Sequence, residues 1–199
     1  MALLHNKCVA VKGISACVPK NIVRNIDNLI FPENDINAFI GNIGVEEFRV
    51  SGDDICTSDL GVAAAEKLMD ELQIDRMEIG ILVFVSQTPD FHFLPNTACI
   101  IQDRLKLSTE SLAFDVPLGC SGYVYGLSII SSYLSSGQIK KGLLIVGDTA
   151  SKTTSKKDKS SAMLFGDAGA ATILEYDEQA EGIYFHLATD GNGYKAIIV

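Results

Sequence analysis

Short apolar runs alternate with helix-patterned segments along most of this 199-residue chain. Runs rich in β-branched residues and bounded by turn residues are typical of buried strands, and their alternation with helices predicts an α/β domain with a largely parallel sheet. Because no Pro- or Ser-rich linker interrupts the pattern, a single domain is predicted. The strands are predicted near residues 8–15, 79–86, 111–116, 142–148, 168–175 and 182–189.

Three helices are predicted between these strands. The first begins at Thr57 or Ser58, which are both good N-cap residues. The second begins near Asn96, after a loop in which two prolines exclude a regular element, and the third begins at Cys120. The face of the first helix that is expected to pack on the sheet carries apolar residues at a spacing of four: Leu60, Ala64, Leu68 and Leu72.

Composition excludes several functional classes. A formal net charge of −9 argues against a nucleic-acid ligand, because phosphate binding needs clustered Lys and Arg. No apolar run is long enough to span a bilayer, and the N-terminus lacks the basic start and apolar core of a signal peptide. We therefore expect a cytoplasmic protein with neither a membrane nor a nucleic-acid partner.

The five cysteines are odd in number, widely scattered and free of CxxC spacing, so reduced thiols and no metal site are expected. One segment, residues 152–159, is locally basic in this acidic chain. Two interpretations of that segment stay open: a solvated loop, or a docking patch for an acidic partner.

Cys120 stands where the apolar run "AFDVP" ends and the third helix begins. In a parallel sheet, ligands bind beyond the carboxyl ends of the strands, and a helix N-terminus favours the thiolate form of a cysteine. Gly119 permits a sharp or left-handed turn, and Gly122 permits close approach of a ligand or another helix. These features predict a nucleophile that attacks a thioester carbonyl, with the N–H of Cys120 as a donor to the oxyanion.

The competing interpretation of Cys120 is a small buried hydrophobe, and this is what we expect of the other four cysteines. The segment after Cys120 adds a further expectation. Small residues cover one side of the predicted helix, and they predict tight packing against a partner element, either in this chain or outside it. These residues are Gly122, Gly126, Ser128, Ser131, Ser132, Ser135 and Ser136.

Five motifs occur in order along nearly the whole chain: "GISACVPKNIV", "HFLPNTACIIQDRL", the segment from "AFDVPLGCSGYVYGL" to "GDTASK", "MLFGDAGAATIL" and "LATDGNGY". With these motifs the sequence resembles the N-terminal half of a β-ketoacyl-[acyl-carrier-protein] synthase III, of the thiolase superfamily. The resemblance implies that residues 1–199 form one βαβαβαββ half around a five-stranded mixed sheet, with the C-terminal half absent from this chain. It also implies that the helix after Cys120 is buried at the centre of the whole molecule.

The resemblance implies a cytoplasmic acyltransferase of fatty acid biosynthesis or a related pathway. Cys120 would accept an acyl group from a thioester donor, for decarboxylative condensation with malonyl-acyl carrier protein to a 3-oxoacyl product. The substrates would be thioesters of coenzyme A or acyl carrier protein, with no separate cofactor. The family's His and Asn for decarboxylation belong to the second half, and His5, His92 and His186 do not replace them, so this chain alone would at most become acylated.

Three further positions follow from the resemblance. Phe39 stands where a family aromatic residue helps to hold coenzyme A, whereas the place of a partnering arginine falls near Asn42, so acyl carrier protein is an alternative donor. Leu94 stands where a residue crosses the dimer interface to floor the partner's acyl pocket, which implies a homodimer. Asp167 matches a loop that shapes the site, and its local interpretation is a turn-stabilising carboxylate.

Other functions stay open at this point. A protein of the same fold could transfer the acyl group to an alcohol or amine, or be a relative of thiolase or hydroxymethylglutaryl-CoA synthase. A catalytically silent partner subunit is a non-enzymatic alternative, and a redox-sensing cysteine is another.

Overall fold

A computed structural model describes residues 2–196 of the chain, so Met1 and residues 197–199, at the predicted domain boundaries, lie outside the described residues. The helices are α1 (Glu33–Ile43), α2 (Thr57–Leu72), α3 (Thr97–Arg104) and α4 (Gly122–Leu134). The strands are β1 (Ala2–Asn6), β2 (Val9–Cys17), β3 (Asn21–Arg24), β4 (Glu47–Val50), β5 (Ile79–Val85), β6 (Leu112–Val116), β7 (Lys141–Thr149), β8 (Asp167–Tyr176) and β9 (Ile183–Leu187).

The main sheet has five strands in the order β2-β8-β7-β5-β6. Strands β5, β6 and β7 are parallel, whereas β8 runs antiparallel to both of its neighbours, β2 and β7. The predicted α/β class and the five-stranded mixed sheet are therefore confirmed. The carboxyl ends of β5, β6 and β7 meet at one edge of the sheet, and this edge carries the candidate site.

Helices cover both faces of this sheet. Helices α2 and α3 pack on one face, and α4 packs on the other. Strand β5 is the centre of the core, because its side chains are buried on both faces from Ile81 to Val85. A strand buried on both faces is an unbroken apolar run in the sequence, which is why this region was predictable.

Two small sheets lie outside the main one. Strand β1 pairs antiparallel with β9, and β3 pairs antiparallel with β4. The strand predicted at residues 182–189 is thus real but does not join the main sheet. No helix among the described residues has the length and apolar character that crossing a bilayer requires.

The predicted helix starts need correction. Helix α2 begins at Thr57, but its N-cap is Cys56, whose backbone N–H donates to Asp59 at 2.6 Å. Helix α4 begins at Gly122 rather than Cys120, because Gly119 to Ser121 form a separate turn in which the N–H of Gly122 donates to the carbonyl of Gly119 at 2.7 Å.

The small residues of α4 pack closely, as predicted, and the neighbours that the structure describes belong to this chain. A β carbon on Gly126 would lie 2.5 Å from Leu144 Cδ1 of β7, and one on Gly122 would collide with Val85 of β5. Farther along α4, Asn6 of β1 donates to the Ser128 carbonyl at 3.3 Å and to the hydroxyl of Ser132 at 3.1 Å. The small face therefore lets α4 approach its own sheet and β1.

Candidate active site

Cys120 lies in the turn between β6 and α4, at the carboxyl edge of the parallel strands, and its side chain is exposed. This exposure is against its interpretation as a small buried hydrophobe. Among the described residues, neither the N–H of Cys120 nor that of Ser121 donates a backbone hydrogen bond. An accessible thiol with free N–H groups beside it has the parts needed to attack a carbonyl and hold the resulting oxyanion.

Gly119 shapes this turn by allowing close contact rather than by a left-handed backbone. Its φ lies outside the left-handed region, so of the predicted sharp or left-handed turn the structure shows the sharp one. A β carbon at Gly119 would instead lie 2.7 Å from Oε1 and 2.9 Å from Cδ of Gln87. The Gln87 carboxamide therefore rests on the backbone immediately before Cys120.

Gly122 has a similar role on the inner side of the turn. A β carbon there would collide with Val85 and would lie 3.1 Å from Cβ of Leu118. The predicted close approach is confirmed, although the neighbour is the protein's own strand β5. Gly119 and Gly122 together let the turn fit between the Gln87 loop and the sheet.

Asp148, at the end of β7, organises the loop that carries Gln87. One oxygen, Oδ1, accepts from the Ser86 hydroxyl at 2.9 Å, from the Gln87 N–H at 2.8 Å, and from the N–H and hydroxyl of Thr88, both at 3.0 Å. A carboxylate that accepts several donors is a strong anchor, because charged hydrogen bonds exceed neutral ones in strength. Asp148 was not predicted from the sequence, although a carboxylate at the end of a buried strand is a usable signal.

Two more carboxylates were missed, and both stabilise helix starts. Asp90 accepts from the N–H of Ser58 in α2 at 3.0 Å. Asp115 of β6 accepts from the N–H groups of Thr97 and Ala98 in α3 at 2.8 and 2.7 Å. Negative charge near a helix N-terminus is stabilising, so these aspartates fix the helices around the carboxyl edge of the sheet.

Asp167 is almost fully buried, with 2% of its surface exposed. It accepts from the N–H of Ser51 at 2.7 Å and from the N–H and hydroxyl of Ser151 at 2.8 and 2.6 Å. Asp167 therefore ties the segment after β4 to the segment after β7, which are far from it in sequence, rather than stabilising a local turn of its own.

A cavity of about 600 Å³ opens between the β3–β4 hairpin and the segment after β7. Its wall is mostly apolar and includes Phe48, Val50 and Phe165, and two lysines, Lys152 and Lys156, also line it. The basic segment is thus partly a cavity wall. Phe39, the residue predicted to bind the donor, is half-buried on α1 and does not line this cavity.

The four lysines of residues 152–159 differ in their surroundings. Lys159 forms an ion pair with Asp35 of α1 at 2.8 Å, and Lys152 also donates to the carbonyl of Asp53 at 3.1 Å. Lys156 and Lys157 form no ion pair within the part of the chain that the structure describes. The segment is therefore anchored at its ends and carries free charge between them.

The other cysteines depart from the expected burial. Cys99 is exposed, and Cys8, Cys17 and Cys56 are half-buried, so the prediction of four small buried hydrophobes is wrong. Cys56 is the one with a chemically distinct environment: burial and the charges of Asp90 and Asp59 raise the pKa of its thiol. Within residues 2–196, no three His, Cys, Asp or Glu side chains form a metal-binding group.

Comparisons with known proteins show which proteins this chain is similar to. A family model described as 3-oxoacyl-[acyl-carrier-protein (ACP)] synthase III matches residues 114–191. The β-ketoacyl-[acyl-carrier-protein] synthase III of Sulfurovum sp. is 34% identical over 183 residues, which are 91% of this chain and 54% of that protein. The crystal structure of a 3-oxoacyl-(acyl-carrier protein) synthase from Burkholderia xenovorans LB400 is 35% identical, with a TM-score of 0.93 over 98% of this chain and 56% of that one. The resemblance to β-ketoacyl-[acyl-carrier-protein] synthase III is confirmed.

The chain spans about half the length of the synthase III relatives it matches, 54% of the Sulfurovum protein and 56% of the Burkholderia chain. A second synthase III structure, from Thermus thermophilus, has a TM-score of 0.84 and covers 94% of this chain and 57% of that one. The fold is therefore the thiolase-like fold of the synthase III structures. That residues 1–199 correspond to the N-terminal half stays a prediction.

Leu94, the predicted dimer residue of the synthase III resemblance, lies in an exposed apolar loop. It is 79% exposed and follows Phe93, which is 91% exposed, and Phe91, which is 51% exposed. Large apolar side chains in one short surface segment mark an interaction site more often than isolated ones do. The loop precedes α3 and lies at the same edge of the sheet as Cys120.

Proposed function

We propose that the protein containing this chain is a synthase III type acyltransferase in which Cys120 accepts the acyl group. The observation that carries the proposal is the exposed Cys120 thiol in a turn with free N–H groups at Cys120 and Ser121. The names of the relatives support it. The pathway proposed is fatty acid biosynthesis or a related one, and the proposed compartment is the cytoplasm.

In the first half-reaction, the Cys120 thiolate attacks the carbonyl carbon of an acyl thioester. The carbonyl electron pair moves to oxygen, and the N–H groups of the turn stabilise this oxyanion. When the carbonyl reforms, the bond to the donor sulfur breaks and the donor thiol leaves. Cys120 then carries the acyl group as a new thioester, and no oxidant or reductant is needed.

In the second half-reaction, malonyl-acyl carrier protein loses carbon dioxide, and its carbon attacks the acyl group on Cys120. The new carbon–carbon bond replaces the carbon–sulfur bond, so a 3-oxoacyl thioester forms and the Cys120 thiolate returns. The resemblance assigns decarboxylation to a His and an Asn of the second half. We therefore propose that residues 1–199 supply acylation and that condensation needs the whole protein.

The cavity beside Lys152 and Lys156 is the proposed approach of the donor. The wall combines apolar side chains with two lysines and one carboxylate, Asp53, and its apolar and cationic parts fit a thioester carrier that has an alkyl arm and a phosphate group. Coenzyme A and acyl carrier protein both carry such an arm, so both are proposed as donors. Phe39 does not line this cavity, and its contact with coenzyme A stays a prediction of the resemblance.

A homodimer is also proposed, with the apolar loop around Leu94 in the interface. Its exposed side chains, Phe91, Phe93 and Leu94, would be buried by a second copy, and apolar burial drives association. Sedimentation of the whole protein at micromolar concentration tests this proposal. A monomer there would contradict it.

The decisive experiment is acylation of the whole protein by a panel of acyl-CoA and acyl-carrier-protein donors, read by mass spectrometry of tryptic peptides. The proposal expects an adduct on Cys120 that is lost in Cys120→Ala. Cys99→Ala is the matched control, because Cys99 is also exposed, and it should keep the adduct. No adduct from any donor on folded protein would refute the function.

A further inference from the structure

The contact between Gln87 and Gly119 is not explained by the thiol chemistry alone. Gln87 is an exposed residue after β5, and its carboxamide lies where a β carbon of residue 119 would be. The side chain of Gln87 makes no hydrogen bond among the described residues. Its contact with the turn is therefore one of packing, against the residue that precedes the nucleophile.

Hydrogen bonds fix the backbone at Gln87, although this residue lies in an exposed loop. Its N–H donates to Asp148, and the same carboxylate oxygen holds the residues on both sides, Ser86 and Thr88. The Thr88 hydroxyl also accepts from the N–H of Thr149 at 2.8 Å, which closes the loop onto β7. Three consecutive residues thus have fixed positions relative to the main sheet.

We propose that Gln87 is a positioning residue for Cys120, held in place by Asp148 and acting through its contact with Gly119. By occupying the space over Gly119, the carboxamide restricts the turn to a conformation in which the Cys120 thiol and N–H are presented together. This inference rests on the proposed acylation of Cys120. It predicts that the contact, rather than the polarity of the amide, is what matters.

The size of the effect follows from the geometry that acyl transfer demands. A displacement of about 1 Å at a reacting group can cost up to about 100-fold in rate. Loss of the Gln87 side chain frees the turn without removing the nucleophile. We therefore expect Gln87→Ala to slow acylation by about 10-fold, and Gln87→Met, which keeps the volume, to stay within about twofold of wild type.

Gly119 offers a second way to break the same contact. The atoms that a new β carbon would meet belong to the end of a flexible side chain, so Gly119→Ala displaces the carboxamide while the fold remains. If both substitutions act through one contact, their effects do not multiply. The double variant should be slowed by about the same 10-fold as either single variant.

The experiment is a double-mutant cycle on the whole protein, comprising wild type, Gln87→Ala, Gly119→Ala and the double variant. Acylation of Cys120 is followed by mass spectrometry with a donor that labels wild type, and alkylation of Cys120 by iodoacetamide is followed in parallel. Thermal melting confirms that each variant is folded. Gln179→Ala is the control, because Gln179 is an exposed glutamine on a turn far along the chain, and both rates should stay unchanged.

The outcomes separate this inference from the proposed function. Acylation rates that multiply in the double variant, or a Gln87→Ala rate equal to wild type, would overturn the role of Gln87 while leaving Cys120 as the acceptor. If wild type takes no acyl group, the proposed function fails. The rates of Cys120 alkylation in the same variants then test whether Gln87 positions Cys120. An alkylation rate that changes by the same factor, at least about twofold, in both single variants and in the double variant would support the positioning role of Gln87. Unchanged rates, or effects that multiply in the double variant, would overturn that role. If Gly119→Ala fails to fold, the comparison of Gln87→Ala with Gln87→Met tests the same contact. A slow Gln87→Ala beside a near-wild-type Gln87→Met supports it, and equal rates for the two variants overturn it.

Discussion

A β carbon placed on Gly126 of α4 would lie 2.5 Å from Cδ1 and 3.2 Å from Cδ2 of Leu144 in β7. Both positions are buried in the core face beneath α4. Added volume at a close contact forces backbone shifts or poor rotamers, so Gly126→Ala should lower the free energy of unfolding by about 1–3 kcal/mol. Urea denaturation followed by circular dichroism measures this.

Gly41→Ala is the matched control for that substitution. Gly41 is also a helical glycine, in α1, but a β carbon there meets nothing within 4 Å. Alanine has less freedom to lose on folding, so this variant should be more stable than wild type by about 0.5–1 kcal/mol. Equal stabilisation of both variants would show that helix propensity, rather than packing against Leu144, governs position 126.

Asp148→Ala should destabilise the chain more than a typical surface change. The substitution removes the acceptor of four hydrogen bonds, all of which come from the consecutive residues Ser86 to Thr88. Hydrogen bonds to a charged group contribute about 1.5–3 kcal/mol, and unsatisfied donors add a penalty, so a loss of about 2–4 kcal/mol is expected. Thermal and urea denaturation give the value.

Asp148→Asn separates geometry from charge at this position. The amide oxygen can still accept from the loop, so its expected cost is smaller, about 1 kcal/mol. Asparagine and alanine variants of equal stability would contradict the assignment of Asp148 as the acceptor that orders the Gln87 loop.

The fold was largely predictable from sequence because the main sheet is buried. Its five strands are apolar runs, and their predicted ranges, such as 142–148 against Lys141–Thr149, agree with the structure within one or two residues. The hairpin β3–β4 was missed because each strand has four residues and none of them is buried, so neither strand is an apolar run. Helix α1 was missed because Ile36 is its one fully buried residue, which leaves little periodicity to detect.

The site was predictable only where its signal is local. The apolar run at residues 113–117 is followed closely by Gly119 and Cys120. Because these features are neighbours in sequence, Cys120 could be identified from the sequence alone. The loop that holds Gln87 depends on Asp148, which is 61 positions away, and no local pattern records that pairing. Glycine spacing indicates close packing, but it does not say whether the neighbour belongs to the same chain.

Cys56 should react with iodoacetamide more slowly than Cys120 and Cys99. Burial and two neighbouring carboxylates raise the pKa of the Cys56 thiol, and the thiolate is the reactive form. Its alkylation rate should therefore keep rising with pH beyond the point where an ordinary thiol, with a pKa of about 8.5, has levelled off. Peptide mapping by mass spectrometry at several pH values measures each rate.

The variant Asp90→Asn tests the cause of this shift. Removing one of the charges that raise the pKa should move the pH profile of Cys56 to lower pH. Asp103→Asn is the control, because Asp103 is exposed on α3, where it pairs with Lys106, and it is not among the charges that shift Cys56. Identical profiles for wild type and Asp90→Asn would contradict the electrostatic assignment.

Lys141, at the start of β7, lies 3.0 Å from Glu78 and 3.4 Å from Glu175. Burial opposes the charged form of Lys141, but the hydrogen bond to Glu78 and the negative charges of Glu78 and Glu175 outweigh burial and raise the pKa of Lys141.

Lys141→Met should lower the free energy of unfolding by about 0.5–1 kcal/mol near pH 8, since partly exposed ion pairs contribute about that much. A raised folded pKa gives stability that is complete below the unfolded lysine value of about 10.4 and is lost as pH rises through the folded pKa. The difference between wild type and Lys141→Met should therefore shrink above pH 10.4, whereas Lys67→Met, at an exposed helical pair, should differ little from wild type throughout. Urea denaturation from pH 8 to above pH 10.4 measures these free energies. A difference between wild type and Lys141→Met that stays unchanged at high pH would refute the ion pairs as its origin.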